Sequence, residues 1–120
     1  MAVTAAVDAR KRLLFAYLTA TATMVRSETP DLTDRQKAVF LKAYMDENPQ
    51  TVRGLAEFCN ISKPAITRAL DRLAEYDLIR RKTDPMDRRS IHVQRTAAGQ
   101  AYLRQIGDIL LRSHQHELVA

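Results

Sequence analysis

The sequence predicts a mainly α-helical chain with one short β-hairpin, and three observations support this prediction. Apolar residues recur at the i, i+3, i+4 spacing of an amphipathic helix over most of the chain. Between residues 79 and 95 the pattern changes to an alternation that is typical of strands. The 120 residues include only three glycines and four prolines, so few positions interrupt a helix. A chain of this length suits one domain, which we expect to cover residues 1–120.

The first predicted helix runs from about Ala2 to Arg26, within an N-terminal region of residues 1–28. It ends before Pro30, because a proline disfavours the helical conformation of the preceding residue. Arg10 to Ala22 also loosely resembles a secretory signal, with a basic start, an apolar centre and small residues at its end. The helical spacing favours a helix that packs on another element, and the stretch is too short and too rich in threonine to span a bilayer. The apolar face of this helix consists of Leu14, Tyr17, Leu18, Thr21, Met24 and Val25.

The second predicted helix has a clear start. Thr33 and Gln36 fit a capping box, in which the threonine hydroxyl accepts from a free backbone N–H and the glutamine side chain reaches back to the cap. We expect Asn48-Pro49 to end this helix. Its apolar face consists of Val39, Phe40, Ala43 and Tyr44.

A helix-turn-helix begins at Thr51, which caps a short helix. Asn60 makes the turn, because asparagine enters the left-handed region at small cost, and we expect Ile61 to lie in the core. Ser62 caps the following helix and Pro64 fits its first turn, where no N–H is needed. The inward positions are Val52, Leu55, Ala56 and Cys59 in the first helix and Ile66, Ala69, Leu70 and Leu73 in the second.

The outward face of the second helix of this motif is polar. In DNA-binding proteins of this kind that helix enters the major groove, and residues near its start face the base edges. A solvated face on a plain helical core is the alternative interpretation of the same pattern. Candidates for base contacts are Pro64, Thr67 and Arg68, candidates for phosphate contacts are Ser62 and Lys63, and Arg72 lies further along the same face.

Two short strands, Ile79 to Thr83 and Ser90 to Arg95, are predicted to form a hairpin around a charged loop. Arg88 and Arg89 lie at its tip, from which arginines can enter a narrow, strongly negative minor groove. We expect Asp87 to orient one of these arginines through an ion pair. The alternative is a solvated turn of offsetting charges.

Thr96 is predicted to cap a final helix, which we assign to residues 97–120 and expect to end near Leu118. Residues 32–96 then form a winged helix-turn-helix, flanked by the N- and C-terminal helices. The apolar face of the final helix consists of Tyr102, Leu103, Ile106, Ile109 and Leu110.

The positive charge of the chain is concentrated in one segment. The net charge is +5, and ten basic against six acidic residues place +4 of it between Thr51 and Thr96. Such a concentration indicates a polyanionic partner, because basic residues that neutralise phosphates release counterions. Composition alone leaves both nucleic acid and an acidic membrane surface open.

The cysteine and histidine residues show no spacing that indicates a metal site or a catalytic site. The single Cys59 cannot make an intrachain disulfide, which favours the cytoplasm, and it continues an apolar helix face rather than marking a redox sensor. His114 and His116 point to different sides of a helix, so we expect no shared metal site. We find no nucleophile–base pair, phosphate-binding glycine loop or spaced carboxylate pair, and we therefore expect no enzyme activity and no cofactor.

The chain resembles the multiple-antibiotic-resistance regulator (MarR) family from about Leu32 to Leu103, and the wing is the most specific part of the match. The matching residues are Leu32-Thr33 with Gln36, Thr51-Val52 with Leu55-Ala56, Ile61-Ser62, Ile66-Thr67-Arg68 with Leu70 and Leu73, Leu78-Ile79, the loop Asp84-Pro85-Met86-Asp87-Arg88-Arg89, and Thr96 to Gly99.

The resemblance implies a homodimeric repressor or activator that binds a pseudo-palindromic operator in double-stranded DNA, with no role at a membrane. By position, Ser62, Pro64 and Arg68 match the recognition-helix contacts of the family, and Arg88 with Arg89 match its wing contacts. The terminal helices would dimerise, and a small-molecule effector, often aromatic or phenolic in this family, would bind between them and the DNA-binding lobe.

Two features depart from the family pattern. Arg95 stands where members usually have an apolar residue, and we expect its side chain to extend outward or to pair with a carboxylate. Members also commonly carry a further C-terminal helix, so we expect a shortened dimer interface. This second departure keeps open the alternative of a winged-helix module that binds another protein and lacks autonomous operator binding.

Overall fold

The computed structural model describes the backbone of residues 2–119 and the side chains of residues 5–114. It confirms a mainly α-helical fold with one small two-stranded antiparallel sheet. In chain order the elements are α1 (Ala2–Arg26), α2 (Asp34–Met45), α3 (Val52–Cys59), α4 (Lys63–Glu75), β1 (Ile79–Thr83), β2 (Ile91–Arg95) and α5 (Ala97–Val119).

The chain divides into two compact units. The central unit, Pro30–Leu103, contains α2, α3, α4, the β-hairpin and the start of α5. The terminal unit combines Met1–Thr29 with Arg104–Ala120. The predicted winged helix-turn-helix therefore lies within the central unit.

Helix α2 begins as predicted but ends earlier. The Thr33 hydroxyl accepts from the Gln36 N–H at 3.2 Å, and the Gln36 side chain accepts from the Thr33 N–H at 3.0 Å, which completes the capping box. The predicted end at Asn48-Pro49 is wrong, because the backbone is already extended at Asp46. The Asp46 carboxylate accepts from the Asn48 N–H at 2.9 Å, so a side-chain-capped turn replaces the last helical turn.

The helix-turn-helix has the predicted caps. Asn60 is left-handed with φ 54° and ψ 46°, and the Thr51 and Ser62 hydroxyls accept from the first turns of α3 and α4. Ile61 is only half-buried, contrary to the prediction, because it belongs to the surface turn itself. Leu55 is the fully buried residue of α3.

Helix α4 packs its apolar side against both α2 and α3. The predicted inward residues of α2 and α4 are all buried, and Ala65 joins them. This packing leaves the polar side of α4 in solvent. The largest fully buried side chains are Phe40, Leu55, Ile66, Leu70, Leu73, Ile79 and Val39.

A largely buried hydroxyl network joins the segment that follows α4 to the start of α5. The Tyr44 hydroxyl donates to the Leu78 carbonyl at 2.5 Å and accepts from the Thr96 N–H at 3.0 Å. The Thr96 hydroxyl donates to the Asp77 carbonyl at 2.6 Å and, as predicted for a cap, accepts from the Gly99 N–H at 2.9 Å. Because the bonds of the Tyr44 hydroxyl are buried, breaking one of them would leave an unsatisfied polar atom.

Arg95 is exposed, as the first of its two predictions states, and it bonds to backbone carbonyls rather than to a carboxylate. Its guanidinium donates to the backbone carbonyls of Ala43 at 3.2 Å and Asp46 at 2.6 Å, and it lies 5.7 Å from the centre of the Tyr44 ring. These carbonyls are at the C-terminal end of α2, where the helix dipole favours a cation. The arginine therefore closes α2 instead of pairing with a carboxylate.

The terminal unit exposes much of its apolar surface. Ile106 and Ile109 of α5 are buried, but Leu110 is 51% exposed, which corrects its predicted place on the packed face. Ser113 is buried and donates to the Ile109 carbonyl. Among the helices described here, none has the length and apolarity needed to cross a membrane. The side chain of His116 lies outside the described residues.

We predict that Gly99→Ala destabilises the fold by about 2 kcal/mol or more, because the new methyl group would collide with the Tyr44 hydroxyl and the Leu78 carbonyl. Gly107→Ala is the matched control. Its methyl group meets nothing, and we expect a gain of about 0.5–1 kcal/mol from helix propensity. Urea unfolding at one fixed protein concentration measures both. Equal stability of the two variants would contradict this account of Gly99.

Candidate nucleic-acid interface

The start of α4 presents a continuous polar surface. Ser62 at the cap is exposed, and its hydroxyl accepts from the Ala65 N–H at 3.2 Å, which fixes the first turn. The predicted residues that follow are exposed because the opposite side of the same helix is committed to the core. These exposed residues are Lys63, Pro64, Thr67 and Arg68.

The wing ends in two consecutive turns, each begun by an aspartate. In the first turn the Asp87 N–H donates to the Asp84 carbonyl at 3.2 Å, with Pro85 in the second position. In the second turn the Ser90 N–H donates to the Asp87 carbonyl at 2.9 Å. Aspartate in the first position and proline in the second are favoured in such turns. The two central positions of the second turn are occupied by Arg88 and Arg89.

The aspartates stabilise the wing through backbone contacts. Asp87 accepts from the Arg89 N–H at 3.0 Å, and among the described residues it forms no ion pair, so the predicted pairing with an arginine side chain is wrong. Asp84 accepts from the Met86 N–H at 2.9 Å and lies 3.2 Å from His92 Nε2. The Met86 amide, followed by His92, lowers the pKa of the Asp84 carboxyl below its usual value.

Two contacts fix the wing against the helix-turn-helix. The Val93 N–H donates to the Gln50 carbonyl at 2.8 Å, beside a bridge between His92 and Thr51. On the other strand, Arg81 pairs with Asp71 of α4 at 2.6 Å. Neither these anchors nor the role of Asp84 was predicted from the sequence. The Asp-Pro pair at 84–85 was the one available signal for a capped turn.

The structure separates the basic residues into two groups. Within the described part of the chain, the side chains of Lys63, Arg68, Arg88 and Arg89 have no carboxylate partner. Arg72 instead donates to Glu75 at 2.8 Å and to the Tyr76 hydroxyl at 2.8 Å. The Glu75 hydrogen bond raises the pKa of Arg72. Arg72 is thus engaged within its own helix, whereas the other four remain available to an external anion.

The recognition helix and the wing meet at a shared groove. Lys63 and Thr67 of α4 line it together with Asp87 and Arg89 of the wing, and its volume is about 520 Å³. Arg68 and Arg88 do not line this groove. Two parts of the chain that were predicted separately therefore form adjoining sides of one basic surface.

Comparison with known proteins agrees with this geometry. The model of the MarR family matches residues 41–91, a segment that includes α3, α4 and the wing loop. No curated protein sequence matches the chain at a significant level of similarity.

Solved structures extend the likeness to nearly the whole chain. The PcaV transcriptional regulator from Streptomyces coelicolor is 28% identical with a TM-score of 0.65, over 92% of this chain and 78% of that one. MarR itself is 25% identical with a TM-score of 0.63, over 94% and 78% of the two chains. An S. aureus MepR mutant bound to an oligodeoxyribonucleotide has a TM-score of 0.74 at 17% identity, over 98% and 81%.

The family match and these neighbours confirm the resemblance that the sequence indicated. Over residues 41–91 the chain matches the MarR family of transcriptional regulators, and it shares the winged helix-turn-helix fold of the PcaV and MarR regulators.

Proposed function

We propose that the chain acts as a cytoplasmic homodimer that binds a pseudo-palindromic operator in double-stranded DNA and represses transcription in response to a signal. The observation that carries the proposal is a set of cations with no carboxylate partner among the described residues, on two adjoining features, the start of α4 and the tip of the wing. Each protomer would read one half of the operator, so a two-fold protein would match a two-fold site.

The start of α4 is proposed to enter the major groove. Its exposed residues stand at the N-terminal end, which is the end that contacts bases in helix-turn-helix proteins. Arg68 is free of carboxylate partners among the described residues and can donate two hydrogen bonds to a guanine. Thr67 and Pro64 are proposed as its neighbours at the bases, with Ser62 and Lys63 at phosphates.

The wing is proposed to enter the adjacent minor groove. The turn that begins at Asp87 holds Arg88 and Arg89 at an exposed tip, without carboxylates to neutralise them in the described residues. A narrow minor groove concentrates negative potential and attracts such arginines. Asp87 supports this arrangement through the backbone of the turn, and Arg72 is proposed only as a secondary contact, since Glu75 and Tyr76 hold its side chain.

Dimerisation is proposed through the terminal unit. Between residues 13 and 18, α1 exposes large apolar side chains around more than half of its circumference, at 100° per residue. A helix that is apolar on several sides is normally buried on several sides. Leu110 and Leu111 of α5 add exposed apolar surface in the same unit. The exposed residues of α1 in this stretch are Leu13, Leu14, Phe15, Tyr17 and Leu18.

A small-molecule signal is the remaining part of the proposal, and it rests on the family resemblance. An effector that binds better to one arrangement of the dimer than to another would shift the population between DNA-binding and released states.

We predict that Arg68→Ala weakens binding to an operator-containing genomic fragment by about 1–3 kcal/mol and relaxes the preference at one base pair. Arg89→Ala is expected to weaken binding and to reduce its salt dependence. A fluorescence titration at two salt concentrations measures both effects. Arg35→Ala, an exposed residue in the first turn of α2, is the control and should bind as the wild type does. If both test variants also bind as the wild type does, the proposed docking is wrong.

We predict that the wild-type chain is a dimer at micromolar concentration and that Leu14→Glu makes it monomeric. Leu14 is 67% exposed in the single chain, and a carboxylate there would be buried without a partner in a dimer. Gln105→Glu adds the same charge at an exposed position of α5 and should leave the dimer intact. Light scattering separates the two masses. A monomeric wild type, or a dimeric Leu14→Glu variant, would contradict dimerisation through α1.

A further inference from the structure

A third basic residue lines the groove between the recognition helix and the wing. Arg53, in the first turn of α3, faces the groove together with Lys63 of α4 and Arg89 of the wing. The hydroxyl-bearing residues Thr51 and Thr67 line it as well. Arg53 was assigned no role from the sequence, because α3 was interpreted only as the support of the recognition helix.

The charges of this groove are poorly compensated within the protein. Lys63 and Arg89 have no carboxylate partner among the described residues. Arg53 approaches Glu57 only to 3.9 Å, with both side chains about four-fifths exposed at 80% and 77%, so water screens the pair. Asp87 is the acidic residue at the groove, and it already accepts from the Arg89 N–H. Three cations from three separate elements thus surround one open, anion-attracting groove.

The geometry of a DNA duplex explains why an anion would lie in this groove. The sugar-phosphate strand is the boundary between the major and the minor groove of a duplex. A protein that inserts α4 into one groove and the wing into the next must let this strand pass between them. The groove of Arg53, Lys63 and Arg89 is the space between those two elements.

We propose that this groove holds the phosphodiester backbone of one DNA strand and that Arg53 is a phosphate-contacting residue. The inference rests on the proposed function, since it requires α4 and the wing to occupy neighbouring grooves. Lys63 and Arg89 hold the strand from its two sides, and Arg53 closes the third side from the start of α3. The contact fixes the position of the protein on the duplex and carries no base preference.

The test uses the full chain and a mixed-sequence duplex, because a phosphate contact does not depend on sequence. Log affinity falls as log salt rises, and loss of one phosphate contact makes this fall shallower by about 0.9 in slope. Between about 50 and about 200 mM salt the wild type should therefore lose about 3.5-fold more affinity than Arg53→Gln. Arg53→Lys should restore the wild-type slope, because a lysine keeps the point charge.

Arg80→Gln is the matched control. Arg80 is 70% exposed and has a similarly loose partner, Asp77 at 3.6 Å, but it does not line the groove. It also alternates on β1 with Arg81, whose side chain contacts α4. We expect its slope to equal that of the wild type.

The outcomes separate the inference from the proposed function. Suppose that the wild type binds and that Lys63→Gln and Arg89→Gln reduce the salt dependence of its affinity. If Arg53→Gln then leaves the salt dependence unchanged, the role of Arg53 alone is overturned. Equal reductions in Arg53→Gln and Arg80→Gln would also overturn it, because the effect would then reflect net charge. No binding by the wild type at the lowest salt would overturn the proposed function, and the inference with it.

Discussion

The packing of α4 on α2 and α3 is the constraint on which the rest of the structure depends. Ile66, Leu70 and Leu73 are fully buried, so the rotation of the helix about its own axis is fixed. With that rotation fixed, the opposite side of the helix has to face solvent, and Lys63, Thr67 and Arg68 are held there without needing contacts of their own. The same arrangement holds both ends of α4, through the Ser62 cap at its start and the Tyr44 network after its end.

The wing also presents basic side chains to solvent, but turn contacts rather than core packing hold them there. A short hairpin has little core of its own, and here backbone contacts of two aspartates and an anchor to the residues before α3 define its shape. Because Asp87 is engaged with the backbone of its turn, it does not neutralise the arginine side chains beside it. The acidic residues of the loop therefore shape the wing, while its basic residues remain available to a partner.

Local chemistry explains which parts of the fold could be predicted from the sequence. The capping box at Thr33, the left-handed Asn60 and the inward stripe of α4 follow from neighbouring residues, and the structure confirms each of them. Arg95 could not be assigned, because its partners are the carbonyls of Ala43 and Asp46, about fifty residues away in the chain. Asp87 was misassigned because an aspartate before two arginines fits an ion pair and a turn cap equally well in sequence.

The candidate site likewise has features that local sequence predicts and features that depend on distant parts of the chain. Helical periodicity was sufficient to place the candidate residues of α4 on one exposed side, and the Asp-Pro pair indicated a turn. The groove that adds Arg53 depends on how α3, α4 and the wing come together, which no local pattern contains. In the same way, only the folded chain shows that Glu75 and Tyr76 engage the side chain of Arg72.

The central claim is that the start of α4 and the tip of the wing form one DNA-binding surface. An NMR titration of the isotope-labelled chain with duplex DNA tests it most directly. We expect the largest chemical-shift changes at the backbone amides of residues 65–68 and 87–90. Both groups should change over the same range of DNA concentration, and the amides of residues 34–36 at the start of α2 should not change. Changes concentrated at residues 34–36, with none at the α4 start and the wing, would contradict the claim.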